Sequence, residues 1–276
     1  MPPWGCRSDV AGGDGTHFEP IVVADPTVPA DPLEQPLSIL DRSFPSIEEN
    51  LAFDEALLIR AEEQKEGAVL RFWGMESDAV VLGASRRLRE DLFLDRCRRD
   101  GVPVARRSSG GGTVVLGPGV LCVTLVLPSE ANRQFSAVPT AQRFVLERIA
   151  QAIRQLGPRA EVVGSGDLAV QGRKFAGSAQ RRLRRWFFVH CSILLDFPIE
   201  RIVRWLRIPD RQPAYREGRT HEEFLMNLGV SRKILVEAIG SVWPACPLAP
   251  AVDVPQDLLS SLLADRFANR AWIERF

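Results

Sequence analysis

An α+β fold, with a mixed, mostly antiparallel sheet flanked by helices, is the class this chain predicts. Three observations carry that expectation. Residues 161–196 read as consecutive short strands joined by tight turns. Helical periodicity dominates on either side of that block, over 136–156 and again after Pro198. The triplet Gly110-Gly-Gly112 leads into β-branched Thr113, Val114 and Val115, so a strand follows it. Strands grouped with strands and helices with helices, rather than strict alternation, is the α+β pattern.

Each element follows in order. Residues 1–36 are rich in Pro, Gly and Asp and are expected to form a disordered or loosely docked tail. Leu37 to Phe44 reads as a strand. A helix over 45–59 is predicted by apolar spacing at Ile47, Leu51, Ala52 and Leu58, with acids in its first turn. Strands are expected over 68–73 and 79–83, then one amphipathic helix over 88–99, ending before Gly101. Val102 to Ala105 leads as a strand into the glycines. Residues 113–116 and 120–127 are expected to form a β-hairpin around Gly117-Pro-Gly119. Beyond the strand block, helices are predicted at 199–206, 220–228 and 231–242, then a Pro-rich link over 244–255 and a last helix at 256–267. Residues 229–276 read as a helical C-terminal extension. No internal repeat is visible.

Composition narrows the function. Hydrophobic content of 45% with 25% charged residues is ordinary for a globular chain of 276 residues. Zero formal net charge argues against nucleic acid as partner. No apolar run reaches bilayer-spanning length, so no membrane association is expected. The five cysteines are scattered and lack C-x-x-C spacing, which fits free thiols in a reducing cytoplasm. The three histidines do not pair at ligand spacing, so a His/Cys metal centre is not expected.

Chemistry concentrates in two segments. In Ala105-Arg-Arg-Ser-Ser-Gly-Gly-Gly-Thr-Val-Val115, glycines permit close backbone approach and Arg107 adds forked donors for carboxylate or phosphate. In Gly172-Arg-Lys-Phe-Ala-Gly-Ser-Ala-Gln180, Lys174 stands among small residues. Of 35 basic residues only Lys65, Lys174 and Lys233 are lysine, and Lys65 sits in a polar helical run. Together the segments suggest a pocket that grips an acidic, nucleotide-activated molecule and presents one cation to its reacting end. Dinucleotide and P-loop readings fail, because neither G-x-G-x-x-G at a helix start nor G-x-x-x-x-G-K-[ST] occurs. A nucleophile elbow would need G-x-S-x-G, which is missing too.

With Leu70-Arg-Phe-Trp73, Val80-Val-Leu-Gly83, Arg106-Arg-Ser-Ser-Gly-Gly-Gly112, Gly166-Asp-Leu168, the lysine segment and His190-Cys-Ser-Ile-Leu-Leu195 in order, the chain resembles the lipoate–protein ligase and octanoyltransferase family. That resemblance implies the fold shared by biotin and lipoate ligases and class II synthetase cores, with 37–228 as the acyl-protein ligase or transferase catalytic domain. It implies that lipoate or octanoate is joined to ATP with Mg²⁺, and that the acyl group passes to a lysine of an apo lipoyl carrier domain. Such carriers are of the 2-oxoacid dehydrogenase E2 or glycine cleavage H protein type. An accessory subunit is also implied as an option, and the location is cytoplasmic.

By the matching motifs, Lys174 is the catalytic cation, contacting both acyl carbonyl and phosphate. Arg107, Ser109, Gly110, Gly111, Gly112 and Thr113 would line the carboxyl and adenylate end. Asp167 would orient the nucleotide or its Mg²⁺, and Gly177 and His190 would border the substrate. Trp73 and Val115 would wall the acyl tunnel. The chain departs from the family pattern at Leu116 and Val120, where a histidine and an asparagine are usual, and at Gly166 and Cys191. Cys191 and Cys122 read as small buried thiols on packed strands. Acyl transfer without ATP stays open as the alternative, as does a catalytically lapsed binding protein.

Overall fold

A computed structural model of the chain describes residues 37–65, 67–244 and 252–276. The tail expected at 1–36 and residues 245–251 of the Pro-rich link lie outside the described residues. In chain order the strands are β1 (Ser38–Asp41), β2 (Val69–Trp73), β3 (Ala79–Leu82), β4 (Val104–Arg106), β5 (Val114–Leu116), β6 (Val120–Pro128), β7 (Glu161–Val163), β8 (Asp167–Val170), β9 (Arg173–Arg182) and β10 (Trp186–Leu194). The helices are α1 (Ile47–Gln64), α2 (Leu88–Asp91), α3 (Leu94–Arg99), α4 (Val138–Gln155), α5 (Ile199–Trp205), α6 (His221–Phe224), α7 (Arg232–Ser241), α8 (Gln256–Leu262) and α9 (Arg270–Ile273).

Seven strands form the main sheet in the order β1-β2-β6-β10-β9-β8-β7, antiparallel throughout except for the β1/β2 pair. A second sheet, β4-β3-β5, mixes one parallel and one antiparallel pair. This is the mixed, mostly antiparallel α+β architecture expected.

Helix α1 starts where Ser46 and Glu49 cap each other reciprocally, and it ends on Lys65 in the left-handed region (φ 59°). It covers one face of the main sheet, where Thr124 donates to its Asp54. On the opposite face Gln142 of α4 reaches Ser178 of β9.

Three expectations are corrected. The single helix over 88–99 is two short ones, because Leu92 forms a bridge with Leu206 and the Phe93 amide donates to Trp205. The hairpin over 113–127 does not form: β5 pairs with β3, whereas β6 pairs with β2 and β10. Close packing drives that crossing. Gly119 has φ +92°, and a Cβ there would run into the carbonyl of Asp196. The helix over 220–228 is one turn only, since Leu225 bridges to Lys174 and Asn227 exchanges hydrogen bonds with the Phe197 backbone. The last helix keeps its extent, but turns π-helical over Leu263–Phe267.

The C-terminal segment straps back onto the small sheet. The buried Arg106 guanidinium donates to the carbonyls of Ile273 (2.7 and 2.9 Å), Gly83 (3.0 Å) and Arg86 (2.6 Å). Trp272 returns an indole N–H to the Arg106 carbonyl at 3.0 Å. Arg275 stacks on Trp272, 3.6 Å from the ring centroid, and donates to Ala84.

Candidate active site

Cross-strand register builds the floor of the site. Trp73, Cys122, Ser192, Gly177 and Asp167 stand opposite one another across β2, β6, β10, β9 and β8. Directly opposed residues point to the same face. The next row along is Arg71, Thr124, His190 and Ala179. The small sheet stands over this floor, and the two enclose a cavity of about 630 Å³. Four strand spacings separate Trp73 from Asp167, roughly 19 Å.

Lys174 reaches that floor through a defect. Simple alternation along β9 would place it with Ala176, on the face away from Gly177. Between Leu168 and Ala169 the β8/β9 register shifts, so that Ala169 pairs with Lys174. The bulge re-aims the side chain. Its ammonium lies 2.7 Å from Asp167 Oδ1 and directly over Gly177, where a Cβ would come within 2.9 Å of Nζ. The other Asp167 oxygen accepts from the Tyr215 hydroxyl at 2.8 Å. Burial, reinforced by the Asp167 charge, raises the Tyr215 phenol, so it remains a donor.

The glycine loop is held from both sides. Arg107 is buried, and its guanidinium donates to Ser109 Oγ (3.0 Å) and to the carbonyls of Gly110 (2.6 Å) and Gly112 (2.7 Å). Burial, partly offset by Asp91, pulls its pKa to about 10, still a cation at neutral pH. Thr113 donates to Asp91, whose carboxylate also takes the Arg86 fork. Gly111 (φ +84°) lays its carbonyl where a Cβ on Gly83 would stand. Among the described residues no protein acceptor takes the amide N–H groups of Gly110, Gly111 and Gly112. Amides left without a protein acceptor are available to an anion.

His190 ties the loop to α1. Its Nε2 lies 2.6 Å from Ser109 Oγ, and its Nδ1 lies 4.0 Å from Asp54 Oδ2. Ser109 already accepts from Arg107, so its own hydrogen goes to Nε2 and the imidazole N–H faces Asp54. Burial, aided by the Arg107 charge, lowers the His190 pKa despite Asp54, so the ring is neutral. Burial alone would raise Asp54, but Arg71 at 2.6 Å, His190 and Thr124 outweigh it and leave the carboxyl below its ordinary value.

The expected residues mostly converge. Trp73, Arg107, Gly111, Gly112, Thr113, Val115, Asp167, Lys174, Gly177 and His190 all line the cavity. Ser109 and Gly110 stand one layer behind, as hydrogen-bond partners of His190 and Arg107. Asp54, Arg86, Asp91, Tyr215 and Arg216 were not foreseen. Asp54 had a signal, an acid on the apolar stripe of a helix, and Tyr215 is the chain's single tyrosine. Asp91 and Arg216 had none.

The cavity is amphipathic. Leu51, Trp73, Val81, Val115, Leu116 and Cys122 are among its apolar lining, and six basic side chains (Arg86, Arg107, Lys174, Arg207, Arg211 and Arg216) and two acids, Asp91 and Asp167, also line it. Cys191 borders the cavity, but alternation along β10 turns its thiol away from Ser192 and His190. Burial pushes that thiol up to about 12 and moves Cys122 well above its ordinary value. Among the described residues no three acids, histidines or cysteines form a metal cage, and both Asp167 oxygens are engaged. A resident ion does not fit this donor set. Magnesium would enter as the counter-ion of nucleotide phosphates.

Residues 46–229 match the model of the lipoyl protein ligase A/B catalytic domain. The chain is 27% identical over 159 residues to lipoate-protein ligase LplJ of Bacillus subtilis, covering 58% of this chain and 46% of that protein. It is 28% identical over 193 residues to octanoyltransferase LipM of the same organism, covering 62% and 69%. The chain spans about half the length of the first curated relatives it matches, 45% and 56%. In fold it is similar to a bipartite lipoate protein ligase of Thermoplasma acidophilum, described with its E2 lipoyl domain. The TM-score is 0.73 over 87% of this chain and 96% of that one, at 19% identity.

Proposed function

Because this chain belongs to the lipoyl protein ligase A/B catalytic domain family, we propose that it attaches lipoate or octanoate to a lysine of a carrier domain through an acyl-adenylate. One observation carries the reading. Lys174 and the free amides of Gly111 and Gly112 line the basic part of a cavity whose remaining wall is apolar. The acyl chain lies along Trp73, Val115 and Leu116, with each buried methylene contributing about 0.8 kcal/mol. The carboxylate attacks the α-phosphate of ATP and pyrophosphate leaves. The carrier lysine then attacks the acyl carbonyl and AMP leaves. In both steps negative charge grows on oxygens that Lys174 and the loop amides already face, so little reorganisation is needed. Asp167 and Tyr215 hold the ammonium in place.

Apo lipoyl domains of the E2 type and glycine cleavage H protein are the proposed carriers. Buried free thiols at Cys97, Cys122 and Cys191 fit a cytoplasmic setting. No helix among the described residues is long and apolar enough to cross a membrane.

A second reading, octanoyl transfer without ATP, is favoured by Leu116-Gly-Pro-Gly119 and by likeness to LipM. A thioester route would need a thiolate, and both cavity thiols are held protonated by burial. That supports the adenylate route. Mass spectrometry of a carrier domain after incubation with lipoate, Mg-ATP and this protein is expected to show the lipoyl mass. Modification from an octanoyl carrier with no nucleotide present would instead establish transfer. Carrier binding without either modification would leave a binding protein.

A further inference from the structure

Beside Asp167, which accepts from Tyr215, the segment joining α5 to α6 brings Arg216 to the cavity wall. A 3-10 turn, Ala214–Arg216, presents it, and Glu217 (φ 53°) and Gly218 (φ 72°) end that turn in the left-handed region. Arg216 is 4% exposed. Its Nε donates to the Arg219 carbonyl at 2.8 Å, and its Nη2 meets His221 Nδ1 at 3.5 Å. The guanidinium lies 4.8 Å from the Phe224 ring centroid. Among the described residues Nη1 has no protein partner, and it keeps some accessible surface on a residue that lines the cavity.

No carboxylate pairs with this cation among the described residues. Burying a guanidinium without a counter-charge is costly unless something else supplies one. The nearest titrating neighbours do not supply it. Tyr215 is held neutral, Arg219 repels, and the Arg216 pKa falls, mainly through burial. His221 accepts from Arg216 at Nδ1 and therefore presents its other nitrogen, as a donor, to the Arg207 carbonyl at 3.3 Å. An anion bound in the cavity would supply the missing charge. Six cations against two already paired acids exceed what one carboxylate balances. A guanidinium fork also matches a phosphate oxygen pair.

We propose that Arg216 contacts a phosphate group of the substrate, at the end of the cavity where its neighbour Tyr215 bonds Asp167, the partner of Lys174. This deepens the adenylate reading above and rests on it for the identity of the nucleotide.

Titration calorimetry with AMP alone, inorganic pyrophosphate alone and octanoate alone tests this on the full chain. For Arg216→Gln, AMP and pyrophosphate affinity are expected to fall ten- to a hundredfold, roughly the worth of one charge-assisted contact. Octanoate affinity should stay within about twofold. Arg216→Lys should recover part of the loss, and Arg143→Gln, on the exposed face of α4 and off the cavity lining, should match the parent protein. Unchanged AMP and pyrophosphate binding in a folded Arg216→Gln overturns the proposal. An equal loss for octanoate does the same, because it marks a packing role. Should Arg216→Gln fail to fold, the lysine variant decides on the same criteria. If the parent protein binds AMP through Arg216 but makes no acyl-adenylate from ATP, the ligase reading falls and the phosphate contact stands. If it binds neither phosphate compound, both fall.

Discussion

Lys174 owes its position to a bulge and to two neighbours. Gly177 leaves room for the ammonium, and Asp167 receives it. Lys174→Ala is expected to lower acyl transfer about a hundred- to a thousandfold. Its melting temperature should be nearly unchanged, since the side chain is 27% exposed. Gly177→Ala keeps the lysine but displaces it, and a misplacement near 1 Å can cost about a hundredfold in rate. Single-turnover acyl transfer with a melting curve for each variant checks both, and transfer at the parent rate in Lys174→Ala removes the residue from the mechanism. The lysine was legible because the chain so rarely uses one. The glycine triplet was legible as a cradle through the strand that follows it. Asp167 was named through the family resemblance, but as a nucleotide contact rather than as the partner of Lys174, and Asp91 was not legible at all, because it meets Thr113 and Arg86 only after folding.

At the level of elements, the run from β7 to β10 was readable from its turns, and α1 from its apolar spacing and acidic first turn. What failed was pairing. Residues 113–127 look like a hairpin, because two apolar runs flank Gly117-Pro-Gly119. Yet partners are set by distant strands, and β5 and β6 enter different sheets. The bulge that turns Lys174 inward was equally invisible, since alternation alone assigns it to the wrong face. The crossing at Gly119 can be tested. Gly119→Ala meets both a left-handed φ and the Asp196 carbonyl, and it is expected to destabilise the fold by about 1–3 kcal/mol. Urea unfolding midpoints read that change. An unaltered midpoint would mean that the two sheets tolerate a wider connection.

Across the whole molecule, neutral buried imidazoles set the acid limit. His190 and His221 are both shifted down, mainly by burial, so the unfolded chain takes up protons near pH 6.5 that the folded chain refuses. Stability is therefore lost as pH falls through that region. Asp54, also shifted down, adds a further loss below about pH 3.8, where the unfolded carboxyl binds its proton first. The urea midpoint is expected to be lower at pH 5 than at pH 7.5, and an equal midpoint would show that neither ring is buried neutral. The domain's α+β class followed from the order of its elements. The overlay of the small sheet on the large one did not, because it depends on contacts such as Ser109 with His190.

Residues 270–276 bear on the cavity without lining it. Through Arg106 they hold the carbonyls of Gly83 and Arg86, and Arg86 in turn steadies Asp91 and Thr113 at the cradle's rim. The stiffness of the binding pocket is thus borrowed from a stretch well over a hundred positions downstream. A tag, cleavage or fusion that tugs on that stretch would be felt as slackness where the acid is gripped, with every contacting side chain left intact.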